Sequence, residues 1–70
     1  MTEIFKTNVQ NKTQAKHILS SLNSVFAEAR INFDLQDCDK ILRVQGINEA
    51  SIPAVISGLN TLGFHCEILN

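Results

Sequence analysis

The chain has 70 residues, 44% of them hydrophobic, with six Lys/Arg spread along it and a formal charge of -1. That is room for one hydrophobic core over residues 1–70 and no second domain, and the charge lacks the basic excess that a phosphate backbone attracts. Trp and Tyr are absent and the four Phe are not interleaved with Arg or Lys as a base-stacking platform requires, so no nucleic acid partner is expected.

No apolar run approaches the ~18 residues that cross a bilayer, so no membrane partner is expected. Met1-Thr2-Glu3 leads straight into alternating residues rather than into a signal peptide, and Cys38 and Cys66 allow one bridge at most. The expected setting is cytoplasmic and reducing.

Residues Ile4 to Val9 alternate, with Phe5, Thr7 and Val9 on one side and Ile4, Lys6 and Asn8 on the other, which predicts a half-buried first strand. From Thr13 the period becomes helical. Ala15, Ile18, Leu19, Leu22 and Phe26 form a stripe, with Lys12, Lys16, His17 and Ser20 opposite, and the helix is expected to end near Asn23 or Ser24. Ala29, Ile31, Phe33 and Leu35 alternate with Arg30, Asn32 and Asp34 as a second strand. Gln36-Asp37-Cys38-Asp39 reads as a turn, because Asp side chains bond their own backbone there.

Lys40 to Gln45 returns as a third strand, with Leu42 and Val44 inward and Ile41 and Arg43 outward. After Gly46, Ser51 is the expected N-cap of a second helix with Pro53 in its first turn. Ile52, Val55, Ile56, Leu59 and Leu62 carry the helical stripe to Gly63, a residue suited to the left-handed position that ends helices. Gly58 inside this helix costs up to ~1 kcal/mol relative to Ala. Cys66 and Ile68 alternate with His65, Glu67 and Leu69 as the last strand. The order βαββαβ predicts an α+β, ferredoxin-like fold: a four-stranded antiparallel sheet with two helices on one face.

Each element reverses the chain, so Gln10 to Lys12, Gln36 to Asp39, and Gly63 to His65 are expected at one end. Phe5-Lys6-Thr7-Asn8-Val9, followed by a polar loop and a helix, resembles the start of small copper chaperones and of the metal-binding domains of copper-pumping ATPases, the heavy-metal-associated family. Asp34-Leu35, Lys40-Ile41-Leu42-Arg43-Val44 and Leu62-Gly63-Phe64 resemble that family's hairpin and its last helix-to-strand junction, so the similarity covers nearly the whole chain. It implies a Cys-x-x-Cys pair holding a soft ion such as Cu(I) between the first loop and the first helix. With Ile18 and Leu22 on the family's apolar helix positions, those cysteines fall at Asn11 and Gln14. Amides are hard, neutral ligands, and Cu(I) affinity is expected to be lost.

The other chemistry-bearing residues have two readings each. Cys66 reads as a buried core residue; Cys38, in the polar turn, as a surface thiol, a ligand or one half of an intermolecular disulfide. His65 reads as a surface histidine or as a ligand beside Cys38 or Asn11 for Cu(I) or Zn(II). His17 is expected in solvent. Asp37 and Asp39 are turn formers, short of the six oxygens a calcium site wants. Lys12 and Lys16 read as a solvated face. Phe64 matches the family's aromatic beside the metal loop. It either caps the core or forms a docking surface with Val9, Gln10 and Lys12.

Three functions follow as expectations. The first is a degenerate metallochaperone-like domain, non-enzymatic, acting by contact with another protein. The second is metal bound weakly or between two chains through Cys38 and His65, and the third is a small-ligand sensor, argued from fold alone. Ile4, Ile41 and Leu69 on the uncovered sheet face offer apolar area for a second copy of the chain. No nucleophile with a nearby base, no paired inward carboxylates and no glycine-rich phosphate loop are present, so catalysis is not expected.

Overall fold

The computed structural model describes residues 2–69. The elements are β1 (Thr2–Thr7), α1 (Lys12–Val25), β2 (Arg30–Asp34), β3 (Ile41–Gln45), a 3₁₀ turn (Glu49–Ser51), α2 (Ile52–Thr61) and β4 (Cys66–Ile68). The strands form one antiparallel sheet in the order β2-β3-β1-β4. This is the expected ferredoxin-like arrangement, with both helices packed on one face.

Period-two alternation explains which face they cover. Phe5 lies opposite Leu42, Ile31 opposite Val44 and Phe33 opposite Leu42, so the apolar side chains of three strands point one way. The stripes of α1 (Ala15, Ile18, Leu22) and α2 (Ile52, Val55, Leu59) close over them. Phe5, Ile18, Leu42 and Leu59 are completely buried, and each contributes roughly 1.5–3 kcal/mol relative to an exposed side chain.

Element ends depart from expectation for local reasons. β1 stops at Thr7 because the Val9 amide bonds the Thr7 hydroxyl oxygen at 3.3 Å instead of a neighbouring strand. β3 begins at Ile41, since Lys40 sits at φ 48 to close the hairpin, with its amide donating to the Asp37 carbonyl and its Nζ to the Leu35 carbonyl. Ser51 stands at the N-cap position of α2 as expected but makes no capping bond: its backbone is already helical and its hydroxyl donates to Asn48 Oδ1 at 3.1 Å, because the 3₁₀ turn runs directly into α2. Gly63 takes φ 93 as expected, and the Phe64 amide caps the Leu59 carbonyl.

The uncovered face is more polar than expected. Ile41 is only 6% exposed. One step beyond the Phe5–Leu42 pair, the register puts Lys6 opposite it, and Lys6 Nζ lies 3.8 Å from an Asp39 carboxylate oxygen. Arg43 bonds Asn32 on the same face. Half-buried Ile4 and the partly exposed Leu69, joined through the Leu69 amide and the Ile4 carbonyl, remain there. The apolar area expected for a second copy therefore loses Ile41.

Candidate functional site

The three loops expected at one end do meet around the end of β1. The Thr7 amide donates to the Asp39 carbonyl at 3.1 Å and its hydroxyl to the Lys40 carbonyl, tying in the β2–β3 turn. On the other side the His65 amide donates to Asn8 Oδ1 at 2.8 Å. Thr7 is the one buried polar side chain among the described residues, and both functions of its hydroxyl are used, as burial demands.

Asn11 and Gln14 are held by the backbone. Asn11 is extended, at φ -146 and ψ 169, and caps α1: its Oδ1 accepts from the Gln14 amide at 2.9 Å. The Gln14 Oε1 accepts in turn from the Gln10 amide at 2.8 Å. Two amides at the helix entrance, which lack partners inside the helix, are thus satisfied by a reciprocal pair of side chains, a variant of the capping box. Asn-x-x-Gln before an apolar stripe is a capping signal legible in the sequence, and its spacing coincides with that of a Cys-x-x-Cys ligand pair. Neutral amides whose oxygens already accept hydrogen bonds do not fit a Cu(I) centre.

The expected docking residues separate. Gln10 and Lys12 are exposed, but Val9 is completely buried in the core and presents nothing to a partner. Its place in the alternation of β1 carries it inward beyond the strand end. Phe64 is half-buried and packs against the core.

Cys38 is exposed and Cys66 buried. Burial, with a smaller contribution from Glu67, pushes the Cys66 thiol up to about 12, so it stays protonated and inert. Ligand atoms of Asp37, Cys38 and Asp39 lie within 4.8 Å of one another. Both carboxylates are engaged, however: Asp37 Oδ1 accepts from the Asp39 amide at 2.8 Å, and Asp39 faces Lys6. His65 does not join this group. β1 lies between them, bonded to Asp39 on one side and paired with Cys66 on the other, a span of about 10 Å at the usual strand spacing. The His65 ring instead lies 3.8 Å from Glu67, and His17 is exposed on α1.

No helix among the described residues is long and apolar enough to cross a membrane. No family model, no curated protein and no solved structure matches the chain.

Proposed function

We propose that this chain is a cytoplasmic, non-enzymatic protein-recognition domain on a metallochaperone-like scaffold that holds no resident soft metal. One observation carries the reading. The two positions where the heavy-metal-associated family places its thiolates hold Asn11 and Gln14, and both side chains cap α1. A residue used to hold a helix start has a structural reason to be there that is independent of any metal.

The test is a Cu(I) titration of the fully reduced protein against a competing chelator, with Zn(II) in parallel and molecular mass followed throughout. No competition and an unchanged mass are expected. Tight stoichiometric Cu(I) binding overturns the reading.

The closeness of Cys38 to Asp37 and Asp39 favours a second reading, metal shared between two chains through Cys38. A metal-dependent rise in mass that Cys38→Ser abolishes would establish it in place of the first.

A further inference from the structure

From the loops at the end of β1, an open groove of about 760 Å³ runs between α1 and β2. Its floor is apolar, built from Leu19 of α1 and from Phe33 and Leu35 of the β2 segment, all half-buried. Lys12 and Lys16, one helical turn apart, line it together with Arg43, against a single lining carboxylate, Asp34. Three of the six Lys/Arg of a chain with net charge -1 therefore gather at one groove. The ion pairs of the described residues involve none of the three.

The groove follows a free sheet edge. β2 is the outermost strand, so one row of its N–H and C=O groups has no strand to pair with. Natural edges are commonly blunted by Pro, Lys, a bulge or shortness. β4, at the opposite edge, is only three residues long, whereas β2 runs five residues in unbroken register with β3, without Pro or Lys, and its two charged residues, Arg30 and Asp34, stand at its ends.

We infer that the α1–β2 groove receives an extended acidic segment of another protein, added as a fifth strand beside β2. Strand addition uses the unpaired backbone for affinity and alternate side chains for selection. Apolar residues at every second position meet Leu19, Phe33 and Leu35 on the helix side; the carboxylates between them point to the opposite sheet face, where Arg43 lies, while Lys12 and Lys16 attract the net negative charge of the segment across the groove. A second copy paired through β2 about a two-fold axis can set Arg30 against Asp34, but it brings no further carboxylate to Lys12, Lys16 and Arg43, whose only lining counter-charge is Asp34; an acidic segment supplies that counter-charge. The inference rests on the reading of the domain as one that acts by protein contact.

The probe is an acetylated and amidated octapeptide alternating Glu and Val, titrated into the uniformly ¹⁵N-labelled full chain. Amide shifts are expected along Arg30 to Gln36 and on α1 near Lys12 to Leu19. Lys12→Glu with Lys16→Glu, both at exposed positions, should weaken binding about tenfold or more, and a Lys–Val octapeptide should not bind. Four Glu followed by four Val, which lacks the alternation, should bind more weakly than the alternating peptide.

Shifts centred elsewhere, affinity indifferent to the charge reversal, or no shifts up to about 1 mM peptide overturn the inference. Concentration-dependent shifts of the β2 amides without peptide overturn it in favour of a second copy. Cu(I) competition on the same preparation separates the two levels. Absence of both peptide and metal binding removes the groove and leaves the metal-free reading standing; tight Cu(I) binding removes that reading whatever the peptide does.

Discussion

Asn11 Oδ1 accepts the Gln14 amide at 2.9 Å while Gln14 Oε1 accepts the Gln10 amide at 2.8 Å, so the start of α1 is closed by two side chains acting as a unit. Asn11→Ala should cost about 1 kcal/mol and Asn11→Asp nearly nothing, measured by urea unfolding. Replacing Asn11 and Gln14 together by Cys removes the cap and supplies two thiolates at the family's spacing. That variant should be about 1–2 kcal/mol less stable without metal and should compete for Cu(I) where the parent does not. A doubly substituted protein that still ignores Cu(I) would show that the loop geometry, and not the ligand identity alone, is unsuited to a two-thiolate site.

Two glycines of the second half should respond oppositely to Ala. A Cβ added at Gly58 meets only Leu22 Cδ2, at 3.4 Å, an ordinary contact, so Gly58→Ala should stabilise α2 by about 0.5–1 kcal/mol. Gly63 sits at φ 93 with nothing near the added atom, so Gly63→Ala suffers backbone strain alone and should lose about 1–2 kcal/mol. In a domain of this size those changes move Tm by about 4–8 °C per kcal/mol, in opposite directions. Gly58→Leu would drive bulk into Leu22 and should destabilise.

Thr7 ties the β2–β3 turn to β1. Thr7→Val keeps the shape but leaves the Lys40 carbonyl and the Val9 amide without the hydroxyl they share. The expected loss is about 1–3 kcal/mol, with Thr7→Ser recovering most of it. Equal stability of the Val and parent proteins in urea would mean that water replaces the hydroxyl.

The two thiols should differ sharply in reactivity. Cys38 is exposed and should be modified by a disulfide reagent in the native protein, whereas Cys66 should react only on unfolding. Burial raises the Cys66 thiol from 9.0 to about 12, so the folded state keeps a proton that the unfolded chain releases. The associated stability is complete below about pH 9 and declines as pH rises toward 12, by about 1.4 kcal/mol per unit. Cys66→Ala should flatten that part of the alkaline unfolding profile, and an unchanged slope would assign the loss to other groups.

The alternation of Phe5, Thr7 and Val9, the stripe of Ile18 and Leu22, and the positive-φ glycine at 63 were enough to place every strand and helix within a few residues. Periodicity and turn chemistry are local, so they are written in consecutive residues. What the chain could not show in advance are relationships between residues far apart in it. Ile41 alternates as an outward residue and is buried all the same, beside Lys6 and its partner Asp39. His65 was placed rightly at the end of β1, yet the strand itself separates it from Cys38. The gathering of Lys12, Lys16 and Arg43 along an unpaired edge likewise exists only once α1 lies across β2. Each of these depends on strand order and helix placement, which the whole core sets by burying its apolar faces together; no short segment carries that information.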